Sequence, residues 1–337
     1  MSDSMRNTAR DLVASGKGIL AADESSSTIE KRFASIGVES TEENRRSYRE
    51  MLFTAPEIGE WISGVILYDE TIRQSASDGR PLPKLLVDGG IIPGIKVDTG
   101  TKDLAGASGE KVTEGLDGLR ERLGEYRDLG ARFAKWRAIF SAGDGLPSSY
   151  CIDVNAHALA RYAALCQEAD LVPIVEPEVL MDGDHTIVEC AGATAATLLQ
   201  VFEQLKAQRV VLEQIILKTN MVLAGIGCPE QAEVEEVASA TLQCLLECVP
   251  ASVPGIAFLS GGQSDEKATD HLNAMNVSGG APWALSFSYG RALQSCALKA
   301  WKGDAANVPA GQAALLHRAQ CNSAATLGRY SPSMEAA

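Results

Sequence analysis

At 337 residues the chain has room for one large domain or two ordinary ones. Hydrophobic residues make up 45% and charged residues 22%, an ordinary globular balance, while aromatics at 5% leave the core to aliphatic side chains. A formal net charge of −14 excludes a general nucleic-acid binder, which needs a basic face, and an anionic ligand would require a locally basic pocket.

The opening residues 1–7 carry no apolar signal region, and no apolar run reaches membrane-spanning length, so a soluble, cytoplasmic protein is expected. Eight short apolar, β-branched runs then follow, at residues 18–23, 61–68, 92–97, 132–140, 172–179, 212–220, 256–260 and 284–288. Amphipathic stretches rich in Ala, Glu and Arg lie between most of them, at 42–52, 116–129, 155–169, 191–207 and 230–248. Alternating strands and helices imply parallel βαβ units, and eight units predict a single (β/α)8 TIM barrel over residues 1–337. An open doubly wound sheet is the alternative; no GxGxxG follows the first strand and no P-loop signature occurs. Residues 310–327 read as a helix, and 329–337, without periodicity, as a flexible tail.

Eight cysteines are scattered with no CxxC pair; Cys244 and Cys248, four apart, share a helix face, and free thiols in a reducing cytosol are expected. His157, His185, His271 and His317 form no HExxH or ligand-spaced pair, so they are read as structural or surface residues, with no metal and no cofactor. No G-x-S-x-G nucleophile motif is present.

The unusual feature is where the charges fall. Lys218 closes the apolar run Ile215-Ile216-Leu217, where an ammonium group is buried only with a partner. Burial lowers an amine's pKa, and a neutral amine can form a Schiff base with a carbonyl. Lys96, Lys135 and Glu176 repeat the pattern at other strand ends. Asp23 ends the first run; Lys135 with Arg137, and Glu176 with Glu178, are two apart and so share a strand face. Singly, each has a plain structural reading. Asp23 alone reads as a helix N-cap, Glu-Pro-Glu as a solvated edge, the Lys/Arg pair as structural ion-pair partners, and Gly-Gly as a turn. Their coincidence at one end of most strands, where such barrels carry their sites, points instead to one polar site.

The turns after the seventh and eighth strands, Ser260-Gly261-Gly262-Gln263 and Ser288-Tyr289-Gly290-Arg291, have the glycines of a backbone phosphate cradle, with Arg291 as a clamp. Lys96 and Arg32 on the opposite rim suit a second phosphate, so a sugar bisphosphate is the natural ligand.

Several long segments, in order, carry a resemblance. They are Gly18-Ile19-Leu20-Ala21-Ala22-Asp23-Glu24-Ser25, Gly94-Ile95-Lys96-Val97-Asp98, Gly115-Leu116-Asp117-Gly118-Leu119, Phe133-Ala134-Lys135-Trp136-Arg137, Val172-Pro173-Ile174-Val175-Glu176-Pro177-Glu178, Leu217-Lys218-Thr219-Asn220-Met221-Val222, Phe258-Leu259-Ser260-Gly261-Gly262-Gln263-Ser264 and Ser286-Phe287-Ser288-Tyr289-Gly290-Arg291. Together they make the chain resemble a class I, Schiff-base fructose-1,6-bisphosphate aldolase of bacterial type. The resemblance implies reversible cleavage of fructose 1,6-bisphosphate to dihydroxyacetone phosphate and glyceraldehyde 3-phosphate, in glycolysis and gluconeogenesis, by a homotetramer without metal. It implies that Lys218 forms the Schiff base, Glu176 is the general acid/base, and Asp23 takes the C4 hydroxyl proton. Lys135 supports the protonation states of Lys218 and Glu176, and Glu178 and Arg137 complete the charge network. Ser260, Gly261, Gly262, Ser288, Gly290 and Arg291 hold one phosphate, and Arg32 and Lys96 the other.

Two departures stand out. Relatives commonly have Pro where Thr219 stands, and eukaryotic members end in a longer segment whose terminal tyrosine takes part in proton transfer, whereas the last tyrosine here is Tyr330. Two other functions are kept open: the same chemistry on another ketose bisphosphate such as sedoheptulose 1,7-bisphosphate, and a non-catalytic scaffold that retains the barrel.

Overall fold

The structure, a computed structural model, describes residues 3–336. The chain enters through helix α1 (Asp3–Leu12) and strand β1 (Gly18–Ala21), then α2 (Ser26–Ala34), α3 (Glu42–Phe53) and β2 (Ile62–Leu67). Short helices α4 (Asp69–Arg73) and α5 (Leu82–Asp88) lead to β3 (Ile92–Lys96), and a polar hairpin, β4 (Gly100–Asp103) and β5 (Lys111–Glu114), follows. The order continues α6 (Leu119–Asp128), β6 (Phe133–Phe140), α7 (Ser149–Glu168), β7 (Val172–Val179), α8 (Ile187–Ala207) and β8 (Ile216–Thr219). It ends α9 (Val234–Cys248), β9 (Gly255–Phe258), α10 (Asp265–Ser278), β10 (Ala284–Tyr289), α11 (Arg291–Trp301) and α12 (Val308–Thr326).

Eight strands close into one parallel barrel in the order β1-β10-β9-β8-β7-β6-β3-β2, as the strand pattern predicts. Period-two alternation divides their side chains between two apolar layers. Leu20, Val65, Ile95, Trp136, Val175, Leu217 and Phe287 face outward against the helices. Ile19, Ala21, Ile66, Phe133, Val172, Ile174, Ile216 and Ala257 face inward, and α1 closes that end of the barrel with Met5, Ala9 and Leu12. Gly94 makes room for this filling: a Cβ there would lie 2.2 Å from the Phe133 ring.

Continuing each inward series toward the strand C-termini leads from apolar to charged residues. Ile19 and Ala21 lead to Asp23, Phe133 to Lys135 and Arg137, Val172 and Ile174 to Glu176 and Glu178, and Ile216 to Lys218. Strand register brings these tops together: Lys96 is level with Lys135, and Arg137 with Glu176.

Two expectations are corrected. Within the 212–220 run, Leu212–Gln214 forms a 3-10 turn and only Ile216–Thr219 is strand. The stretch expected as a flexible tail is docked over its described part. The buried Tyr330 donates its hydroxyl to Glu335 Oε1 at 2.8 Å, and Arg318 Nη1 of α12 reaches both Glu335 oxygens at 2.5 Å. Among the described residues no helix is long and apolar enough to cross a membrane.

Candidate active site

The C-terminal mouth of the barrel holds a cavity of about 940 Å3. Its lining contains seven cationic side chains (Lys31, Arg32, Lys96, Lys135, Arg137, Lys218, Arg291) and five carboxylates (Asp23, Glu24, Asp98, Glu176, Glu178). Seven minus five leaves +2 at the mouth of a chain whose net charge is −14, which is the locally basic pocket that an anionic ligand requires.

At the floor, Lys218 Nζ lies 2.9 Å from Glu176 Oε1. Lys135 Nζ lies 3.3 Å from Glu176 Oε2 and 2.7 Å from Asp23 Oδ2, so one ammonium joins the two carboxylates. Burial alone would raise the Asp23 carboxyl, but Lys135 and Lys218 outweigh it and hold it well below the usual carboxylate range. Glu176 is likewise opposed by burial and held low by Lys135, Lys218 and Arg137. Burial would lower Lys135, yet Asp23, Glu176 and Asp98 hold it above the usual lysine range. At neutral pH the resting site therefore carries two ionised carboxylates and a permanently charged Lys135. Such carboxylates can accept protons; Lys135, which keeps its own, fixes their positions.

Asp23 does not cap α2. Ser25 occupies the α2 N-cap, and Asp23 turns inward to Lys135. Arg137 Nε donates to Glu178 on the adjoining strand, and Arg137 is held above its usual range by Glu178 against the effect of burial. Lys96 Nζ pairs with Asp98 Oδ1 at 2.5 Å.

On one side of the mouth, Arg291 Nη2 donates to the Gly261 carbonyl and ties together the turns after β9 and β10. Gly261 has φ +56°, a conformation that suits glycine in this turn. No side chain caps the N-terminus of α11 at Gly290, and the Ser288 hydroxyl is buried without a hydrogen-bond partner. Free helix-terminal amides, a spare hydroxyl and a guanidinium are what a phosphate binds. Arg32, expected on the opposite rim with Lys96, lies on this same side: its Nη2 comes within 3.8 Å of where a Cβ on Gly290 would stand, and it donates to Glu24, which also accepts from Arg49 at 2.5 Å and from Gln294 of α11 at 2.9 Å.

Every residue expected to act in catalysis or phosphate binding lines this cavity except Gly262, whose amide instead donates to Met181 Sδ at 3.2 Å. The turn at Gly261 directs the next N–H away from the mouth. Sequence reasoning missed Glu24, Arg49 and Gln294, which seat Arg32. The signal for Glu24 was present, a second acid beside Asp23 at a strand end, but Arg49 and Gln294 come from α3 and α11 and share no local pattern with it. Asp98, besides pairing with Lys96, accepts from the Gly100 amide at 3.2 Å. None of the four histidines lines the cavity: His271 Nδ1 meets Gln263 Oε1 at 2.5 Å, and His185 is buried with both ring nitrogens unpartnered.

Fold and site together define a (β/α)8-barrel enzyme built around a lysine–carboxylate–lysine network with anion-binding turns on its rim. The family model for "Fructose-bisphosphate aldolase class-I" matches residues 4–337. A protein of Xanthomonas campestris pv. campestris, "Probable fructose-bisphosphate aldolase class 1", is 59% identical over 329 residues, 97% of this chain and 98% of its own length. "Fructose-bisphosphate aldolase 5, cytosolic" of Arabidopsis thaliana is 53% identical over 97% of this chain and 92% of its own. A solved fructose-bisphosphate aldolase from Plasmodium falciparum, in ternary complex with TRAP and a small-molecule inhibitor, superposes with a TM-score of 0.96 at 49% identity, covering 98% of this chain and 95% of that one. The chain belongs to the class I fructose-bisphosphate aldolase family, a family of lyases.

Proposed function

We propose that the chain cleaves fructose 1,6-bisphosphate to dihydroxyacetone phosphate and glyceraldehyde 3-phosphate, and makes it in reverse, through a Schiff base on Lys218. The observation that carries this reading is the contact between Lys218 Nζ and Glu176 Oε1 at 2.9 Å, inside a network that also reaches Asp23. Attack on the ketose C2 needs the Lys218 amine deprotonated, and Glu176, ionised at rest, is the nearest acceptor. The same proton, returned to the carbinolamine oxygen, lets water leave and forms the iminium. Asp23 takes the C4 hydroxyl proton; the C3–C4 bond breaks and its electron pair passes into the iminium to give an enamine. Lys135 holds Glu176 and Asp23 in place as charge moves between them.

Phosphate on C1 meets Ser260, Gly261, Ser288, Gly290 and Arg291; Gly262 contributes by shaping the turn. The C6 phosphate meets Lys96 across the mouth, while Arg32, beside Gly290, borders the C1 cradle. The fructose substrate is supported by the names of relatives at 53–59% identity, and a cytoplasmic location by the name of the Arabidopsis relative. One catalytic domain and a tetrameric assembly complete the reading, the latter by analogy with the family. Steady-state kcat/KM values for fructose 1,6-bisphosphate and sedoheptulose 1,7-bisphosphate, each with and without chelator, test it. Preference for the fructose sugar and indifference to chelator are expected. Preference for the heptulose would move the assignment to that substrate, and loss of activity with chelator would overturn the mechanism.

A further inference from the structure

Away from the catalytic mouth, three chemically matched side chains meet where the C-terminal segment docks on α12. His317 and Cys321 are four residues apart, one turn along the same helix face. His317 Nε2 lies 3.9 Å from Cys321 Sγ and 3.5 Å from Glu335 Oε2, and the three donor atoms all lie within 4.8 Å of one another. None of the three lines the barrel cavity.

We propose that His317, Cys321 and Glu335 form a binding site for one divalent transition-metal ion, zinc by its ligand chemistry, which staples the C-terminal segment to α12. Nitrogen, sulfur and carboxylate donors together select zinc over magnesium or calcium. Zinc bonds of about 2.0–2.3 Å at tetrahedral angles separate donors by about 3.3–3.7 Å. The two separations from His317 come within a few tenths of an ångström of that range, and the Cys321–Glu335 pair, within 4.8 Å, would close the rest of the way around the ion. Cys321 is buried, while His317 and Glu335 are partly exposed, which leaves water a fourth position and the ion a way in.

Neighbouring groups already orient the carboxylate, as outer-shell partners do in metal sites. The Tyr330 hydroxyl and Arg318 both hold Glu335. The Arg318 charge opposes a cation and so moderates the affinity. With Cys321 bound as thiolate, however, thiolate and carboxylate together neutralise the ion, and the thiol proton leaves to solvent. Arg318 retains Thr269 Oγ1 at 2.5 Å and the Asp265 carbonyl at 3.0 Å as acceptors.

Cobalt(II) titration of the full-length, chelator-stripped protein tests the site, since cobalt bound by a thiolate gives a ligand-to-metal charge-transfer absorption. Expected are a band saturating at one equivalent per chain and discharged by zinc, lost in Cys321→Ser and in His317→Ala, and retained in Cys296→Ser, which removes the exposed thiol. Glu335→Gln should weaken cobalt binding by about tenfold or more. Unchanged aldol cleavage by each variant, measured alongside, certifies its fold. Absence of the band in the unmodified protein, or its survival in Cys321→Ser or His317→Ala, overturns the proposal.

Discussion

Replacing Lys135 with Met removes the charge between Asp23 and Glu176 and leaves a side chain of similar reach. The Lys135 side chain is only 4% exposed, and its Nζ sits 2.7 Å from Asp23 and 3.3 Å from Glu176. Removing one partner of a buried ion pair costs about 3–5 kcal/mol. Lys218 still faces Glu176 and the cavity admits water, so the lower end, about 3 kcal/mol at pH 7, is expected. The pH dependence has a definite sign. Both carboxylates titrate below their unfolded values, so their contribution to stability is present above about pH 4 and lost as pH falls through the folded values. Lys135 titrates above its unfolded value, so its contribution is full below about pH 10 and is lost only as pH rises through the folded value. Without Lys135 the two carboxyls move upward and take protons sooner. The variant's deficit therefore shrinks between pH 7 and pH 5, and the acidic limb of kcat/KM shifts to higher pH. Urea denaturation at both pH values measures the deficit. A value below about 1 kcal/mol, or one that grows toward pH 5, would refute the reasoning.

Asp23→Asn should lower cleavage about 10²–10⁴-fold, the range for a lost general base, while leaving the Lys218 adduct trappable by borohydride; loss of both would make Asp23 a structural residue. Arg291→Ala should raise KM about 10–150-fold through loss of a charge-assisted phosphate contact of about 1.5–3 kcal/mol, with kcat changed little. Steady-state kinetics distinguishes this from a fall in kcat alone, which would place Arg291 outside ground-state phosphate binding.

Much of this architecture was legible because barrel strands obey a strict rule. Period-two alternation puts Ile216 and Lys218 on one face, and the apolar-to-charged change along each run marks the barrel mouth. Asp23 illustrates the limit: an acid before Ser25-Ser26-Ser27 looks locally like a helix cap, and only Lys135, 112 residues later, draws it inward. The Glu24–Arg49–Gln294 seat for Arg32 was illegible for the same reason, since its parts join only when α2, α3 and α11 pack at one rim. The β4–β5 hairpin escaped notice because its sequence is polar and Gly-bounded; it is fixed by Thr113, whose hydroxyl donates to the Arg137 carbonyl at 2.8 Å. The terminal stretch lacks any periodicity, and its docking combines polar contacts of Tyr330 and Glu335 with packing of the Tyr330 ring and Met334 against the core, which no local pattern announces.

The most direct measurement is reductive trapping. Borohydride added with dihydroxyacetone phosphate should fix one three-carbon phosphate adduct per chain, and peptide mass spectrometry should locate it on Lys218. An adduct on Lys135 or Lys96 instead, or none under conditions of active turnover, would contradict the Schiff-base account.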